Sequence, residues 1–388
     1  MIVGEHNIPS QRGIAKAGFV KFAERKTGMD DMLFFDLIRV AIGRQVRLSG
    51  VPSRADWEAL FAMAEKQALM GVCFAGVGRL QKVGADVPMD VYMKWLAVAA
   101  NIQQRNELLN RGCVKVQELL AEEGMTSSIL KGQGVACLYP EHLRLLRQSG
   151  DIDVYVPCGM KEAMAFAQRR YGQVDYDYIN AHVPMLRGVE VELHWRVQAM
   201  SNLLRNRRLQ RWLEREETKQ MILGGKATLP NGHVVTVPTD AFNAFYMMLH
   251  AYNHEFSSGL GLRQLMDYYF LLLHLEARHD VEANRLFKAF GMQRFARGVM
   301  WIMQEVFGLE RERLLCKPDE KEGRFILGEV MTGGNFGHHD ERIKKMGRGK
   351  WQSVFASLQH AMHVLRRHPS EALWMPVWIV YHFVWKRI

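Results

Sequence analysis

The segment Gly150-Asp151-Ile152-Asp153-Val154-Tyr155-Val156 sets two carboxylates at i and i+2 among apolar β-formers. Alternate side chains share one face of a strand. Asp151 and Asp153 are therefore expected to project together, leaving Ile152, Val154 and Val156 for packing. Two carboxylates on one strand make a hard oxygen site suited to Mg²⁺ or Mn²⁺, ions that neutralise nucleotide phosphates. Further along, Val189-Glu190-Val191-Glu192-Leu193-His194-Trp195 puts Glu190, Glu192 and His194 on one face and the apolar residues on the other. A carboxylate from this run could complete the metal site or serve as general base towards an incoming hydroxyl. The same alternation also fits the wet face of an antiparallel strand.

A third feature is the turn Lys131-Gly132-Gln133-Gly134, between a strand-like run and a short helical one. Glycines let backbone amides approach a phosphate, and a helix N-terminus adds a favourable dipole. An ordinary turn would have the same composition. The run Leu249-His250-Ala251-Tyr252-Asn253-His254 places two histidines at i and i+4 on a helix face. Ala251 stands where a zinc hydrolase of this spacing needs Glu, which excludes that chemistry.

The elements that must position these groups fall into zones. Residues 1–28 read as a loose basic extension. Residues 29–122 read as helical: Leu33 to Ala41 has helical spacing, and Trp57, Leu60, Phe61 and Ala64 mark a second apolar stripe. A long proline-free helical pattern runs from Val91 to Glu123 and ends at Gly124. Residues 123–237 change period. Ser127 to Lys131 suggests a strand, Val135 to Leu138 a short helix stopped by Pro140, and Gly159 to Tyr171 an amphipathic helix. Two β-like runs, Val174 to Leu186 and Val189 to Val197, meet at Arg187-Gly188 as a hairpin. Ala227-Thr228-Leu229 and Val234 to Val237 flank Pro230-Asn231-Gly232 as a second hairpin. Residues 238–388 return to helices, with Thr239 or Asp240 as N-cap and a loop expected from Thr332 to Lys350. Methionines and aromatics at helical spacing are assigned to core packing.

With 388 residues, 48% of them hydrophobic and 24% charged, the chain can build real cores, and general disorder is excluded. The net charge of +10 favours polyanionic partners, although a solvated basic surface would account for it equally. Five scattered cysteines without a CxxC pair argue against a disulfide framework or zinc module and fit a reducing cytoplasm. The N-terminal residues lack the apolar core of a signal peptide. The most apolar stretch, Leu373 to Trp385, is too short to span a bilayer. It is expected to form a buried terminal helix, with peripheral membrane contact as the alternative.

Four blocks in order carry a resemblance: Leu130-Lys131-Gly132, Leu138-Tyr139-Pro140, the run from Arg147 through Gly150-Asp151-Ile152-Asp153 to Val156, and Glu192-Leu193-His194-Trp195. Together they resemble the uncharacterised bacterial nucleotidyltransferase family, a divergent branch of the DNA polymerase β-type nucleotidyltransferase superfamily. The resemblance implies an α+β fold: a nucleotidyltransferase-like mixed β-sheet with helices over 123–237, flanked by N-terminal and C-terminal helical regions. It implies that Asp151 and Asp153 hold Mg²⁺ (or Mn²⁺) with Glu192 as third acid, and that Lys131, Gly132, Arg147 and Gly150 meet the nucleotide. Lys131 and Arg147 would either grip the triphosphate or pair with the aspartates. The family's histidine-bearing helix, glycine loop and arginine helix imply that His250, His254, Arg263 and Asp267 face the cleft with His194. A buried polar cluster joining helices is the alternative. One departure stands out: the superfamily's turn has Gly or Ser after its first Gly, whereas here Gln133 follows Gly132. The implied activity is Mg-dependent transfer of NMP from an NTP to an acceptor, whether small molecule, RNA or protein. The alternatives are an RNA-modifying or protein-adenylylating enzyme on the same fold, or a non-catalytic nucleotide-binding scaffold.

Overall fold

Apolar residues at helical spacing build α1 (Met29–Ala41), α2 (Arg54–Lys66), α3 (Met70–Lys82) and the long α4 (Met89–Glu122) of the computed structural model. This structure describes residues 29–256, 259–276, 280–335, 358, 362 and 365–387. The expected basic extension, residues 1–28, lies outside them. Ser53 starts α2 through a capping box with Asp56, which satisfies two otherwise orphaned backbone donors. Beyond α4 the chain turns at Gly124, which has a positive φ of 74°.

The middle zone forms β1 (Ser128–Ile129), α5 (Gln133–Ala136), α6 (Glu141–Arg144), β2 (Ile152–Tyr155) and α7 (Met160–Tyr171). It continues with β3 (Asp175–Tyr176), β4 (Asn180–His182), β5 (Val191–His194), α8 (Leu203–Leu213), α9 (Glu216–Leu223), β6 (Gly225–Thr228) and β7 (Val234–Val237). Five strands make one mixed sheet in the order β1-β2-β5-β4-β3, and β6 and β7 pair separately. Strands β2 and β5 are parallel, and their register sets Asp153 beside Glu192 and Tyr155 beside His194. The other pairs are antiparallel. The expected hairpin at Arg187-Gly188 forms, with Leu186 bridging Val189. The run Val174 to Leu186 is not one strand, however. Its chain reverses at Asp177, whose amide bonds the Asn180 carbonyl, and splits into β3 and β4.

The last zone is helical: α10 (Asp240–Phe256), α11 (Leu262–His274), α12 (Asp280–Ala289), α13 (Gln293–Glu305), α14 (Glu320–Gly333) and α15 (Pro369–Trp385). The Thr239 hydroxyl accepts from the Phe242 amide at the start of α10. Of the loop expected at 332–350, Thr332 and Gly333 close α14, and residues 336–350 lie outside the described residues.

The two flanking helical zones share one core, in which Phe34, Leu37 and Trp57 join Phe242, Phe245 and Leu271. Each such side chain stabilises by about 1.5–3 kcal/mol when fully buried, so neither helical set is expected to stand alone. The sheet has its own core. Helix α4 ties the two together: Trp95 and Ile102 enter the helical core, and Leu109, Cys113, Val116 and Leu120 enter the sheet core.

The terminal helix departs from its expected burial. Only Glu371, Ala372 and Met375 are buried in α15, while Leu373 (65%), Val380 (63%) and Phe383 (53%) stand exposed. The physical cause is that α15 packs along a single stripe. Trp378 and Trp385 meet the Tyr178 ring edge-on at 5.3 and 5.2 Å, and nothing described covers the opposite face. Among the described residues, no helix is long and apolar enough to cross a membrane.

Candidate active site

The acids of the site come from two adjacent parallel strands. Asp153 lies within β2 and is buried, and Glu192 and His194 lie on the same face of β5. Asp151 precedes β2 by one residue and is half-buried. The His194 Nε2 sits between two carboxylates, 3.0 Å from Asp153 Oδ1 and 3.2 Å from Glu192 Oε2. The Asn180 side chain, from the neighbouring β4, donates to the same Glu192 oxygen at 2.5 Å. Lys131, just past β1, brings its ammonium to 3.0 Å from Asp153 Oδ1.

Electrostatics follow from this crowding. Burial disfavours charge on Asp153, but the Lys131 ammonium and the His194 bond outweigh it and hold its carboxyl far below the ordinary range. Burial acts against the Lys131 charge as well, and the Asp153 carboxylate more than compensates, raising the amine. His194 is likewise raised: burial opposes its protonation, and the bonds to Asp153 and Glu192 prevail. Among the described residues, Asp151 has no such ion-pair partner. Burial first, then the Asp153 charge, push its carboxyl up.

The turn after β1 shows why Gln133 follows Gly132. Gly132 adopts φ +56°, a backbone conformation that side chains with a Cβ rarely take, so glycine suits the dihedral. The buried Gln133 amide donates to Asn110 Oδ1 at 2.6 Å on α4, fixing the turn to the long helix. On the same helix, Asn106 donates to the carbonyls of Leu145 and Arg147, both at 2.7 Å, and Arg105 donates to the Gly150 carbonyl at 3.0 Å. Helix α5 is only one turn long, so its dipole adds little, and the expected continuation to Leu138 is absent.

Opposite the sheet stand α10 and α11. His250 and His254 on α10 approach each other at 3.0 Å between Nε2 atoms, and Gln198 lies 3.3 Å from His250 Nδ1. Burial and the Lys131 charge lower both; His254 is pushed down to about 3. On α11, Asp267 accepts Arg147 Nε and Nη2, both at 2.7 Å, and the Tyr139 hydroxyl at 2.7 Å. Arg263 donates to the Gln148 carbonyl at 2.7 Å. Burial, then repulsion from Arg147, lower its pKa.

All twelve residues expected from sequence line one cleft of about 370 Å³: Lys131, Gly132, Arg147, Gly150, Asp151, Asp153, Glu192, His194, His250, His254, Arg263 and Asp267. Glu190 does not line it; its exposed carboxylate meets His182 Nδ1 at 3.1 Å on the neighbouring β4. Arg147 reaches the cleft but is committed to Asp267 and, at 2.6 Å, to the Ser149 hydroxyl. Sequence reasoning missed Asn180, Gln198, Tyr246 and the Asn106/Asn110 pair. Only the last left a signal, as two polar residues within the apolar stripe of α4. Asp153, Glu192 and His194 each offer one ligand atom within 4.8 Å of the others, an arrangement able to hold a metal ion.

Comparison with known proteins defines the class as an NTP-utilising transferase. The chain belongs to the uncharacterised nucleotidyltransferase family, whose model matches residues 53–308 and so spans α2 to α13, the sheet and the cleft described above. No curated protein and no solved structure matches the chain.

Proposed function

We propose that the chain is a cytoplasmic, Mg²⁺-dependent nucleotidyltransferase of the polymerase β type that moves NMP from an NTP to an acceptor oxygen. The observation carrying this reading is the parallel register that sets Asp153 beside Glu192, with His194 between their carboxylates at one wall of the cleft. The donor chemistry fits the ion, because carboxylate oxygens suit Mg²⁺ and Mn²⁺. Asp153 and Glu192 would hold it, with Asp151 beside them. When bound, it would neutralise triphosphate charge and polarise the α-phosphate.

The chain's own residues supply the rest. The acceptor oxygen attacks the α-phosphorus as the bond to the β-phosphate oxygen breaks, and pyrophosphate leaves with that electron pair. Asp151, on the cleft wall next to Asp153 and without an ion pair among the described residues, takes the proton from the acceptor. Lys131 lies beside the acids and can meet a phosphate oxygen as a charge-assisted donor. Arg147, fixed by Asp267, holds the loop that leads to Asp151. Gly132 and Gly150 leave room for the nucleotide at the cleft wall, and Arg263, His250 and His254 shape the acceptor side. Positioning and charge neutralisation carry the rate.

The test uses α-labelled NTPs with Mg²⁺ and RNA, sugar phosphates or lysate as acceptors, beside an Asp153→Asn variant. Mg-NTP binding and label transfer in the wild type, both lost in the variant, are expected. Wild type and variant that bind and transfer identically would sink the reading.

A further inference from the structure

Helix α8 carries Arg207, Arg208 and Arg211, and Arg215 follows at the start of α9. Its inward face is Asn206, Leu209 and Leu213, all buried, so the spacing of the sequence throws the arginines outward. Among the described residues, none of these four has an acidic partner. Arg208 and Arg211 reach only backbone carbonyls, of Ala289 and Arg207, both at 3.4 Å. Like charges one turn apart destabilise a helix, so folding gains nothing from this cluster. It is also not a flat solvated face. Against α12 it forms a groove of about 720 Å³, with the buried Phe290 below and the half-buried Trp212 in the wall. The Arg208 guanidinium lies 5.8 Å from the Phe290 ring centre.

We propose that this groove binds the phosphate backbone of a single-stranded nucleic acid. Four arginines without acidic partners match a polyanion in charge, and Arg207 and Arg211 step along the helix by about 6 Å, so that successive phosphates can be met in turn. A concave site admits a single strand but not a planar bilayer. Trp212 is stacked on Phe242 and packs against Phe245 and Phe290, which fixes the groove wall, and the arginine planes give surfaces on which bases stack irrespective of sequence. The groove also backs the cleft: Gln210 on α8 donates to the Gln198 carbonyl at 2.8 Å, and Gln198 itself lines the cleft beside His250. Binding stands on the groove alone; only the strand's role as acceptor rests on the transfer reaction proposed above.

The experiment follows fluorescence anisotropy of labelled 20-mer oligo(U) and oligo(dT) with the full chain across a salt series. A duplex of equal length and phosphatidylglycerol vesicles are run in parallel. The variant is Arg207→Gln/Arg211→Gln/Arg215→Gln, at exposed positions; Lys82→Gln/Lys94→Gln/Lys161→Gln, also at exposed positions, controls for net charge. The expected result is tighter binding of single strands than of duplex or vesicles. The triple variant should lose about tenfold or more in affinity, and its log–log salt slope should fall by about 2, at about 0.7 per phosphate released. The control should bind as wild type. Absence of strand binding, preference for vesicles, or an unchanged slope in the triple variant overturns the proposal. Mg-ATP binding measured on the same samples reports the cleft separately. A groove that binds strands while no label passes to RNA, sugar phosphates or lysate would leave the groove standing and the transfer reading refuted.

Discussion

Replacing Asp267 by Asn tests whether Arg147 serves as a clamp or as a phosphate ligand. Both side chains are buried, at 5% and 8% exposure, and the carboxylate accepts three bonds of 2.7 Å from Arg147 and Tyr139. Asp267→Asn leaves a buried guanidinium without its counter-charge, beside Arg263, which it already repels. Breaking such a pair costs about 3–5 kcal/mol, whereas exchanging both partners for apolar residues is often neutral. With a urea m-value of about 3–4 kcal/mol per molar, the single variant should unfold about 1 M earlier. The double variant Arg147→Met/Asp267→Leu should recover most of this, and in the cycle it forms with Arg147→Met and Asp267→Leu alone the coupling energy should be about 3 kcal/mol. The assay is urea unfolding followed by circular dichroism, with Mg-ATP binding measured on each folded variant. An Arg147→Met protein of wild-type stability that has lost Mg-ATP binding would refute the clamp and make Arg147 a direct phosphate ligand.

Other perturbations test other parts of the fold. His254 has its folded pKa depressed to about 3 against an unfolded value near 6.5, so the unfolded chain binds more protons between them. Its contribution is therefore complete above pH 6.5 and falls with acidification, by about 2 kcal/mol at pH 5. Urea midpoints of a His254→Gln variant should show a correspondingly flatter pH dependence, and an unchanged profile would count against a buried neutral imidazole. Gln133→Ala removes the 2.6 Å bond to Asn110 and should destabilise by about 1–2 kcal/mol, checked by thermal unfolding. Tyr178→Ala removes the ring that Trp378 and Trp385 pack against, so limited proteolysis should cut residues 369–387 sooner than in wild type.

Much of the cleft could be read from the chain because its residues sit in short runs of clear period. The Asp151/Asp153 and Glu192/His194 pairs follow the two-residue alternation of a strand, and His250/His254 the turn of a helix. Tyr246 and Gln198 left no such mark, since an aromatic on an apolar helix face and a loop glutamine look the same with or without a cleft. The terminal helix misled for a related reason. Mean hydropathy reports what a segment could bury, and whether a neighbour covers it is a matter of packing.

By itself, then, the sequence determined the α+β class, with helical regions flanking a strand-bearing middle, and the alternation that puts Glu192 and His194 on one strand face, because these depend on local period and residue chemistry. The tertiary structure decided the rest. It set β2 and β5 parallel so that Asp153 meets Glu192, paired Glu190 with His182 rather than with the cleft, drew Arg147 onto Asp267, and merged two helical zones into one core. Each of these outcomes depends on which surfaces meet across long stretches of chain, and burial strengthens the pairings that result, which no local pattern encodes.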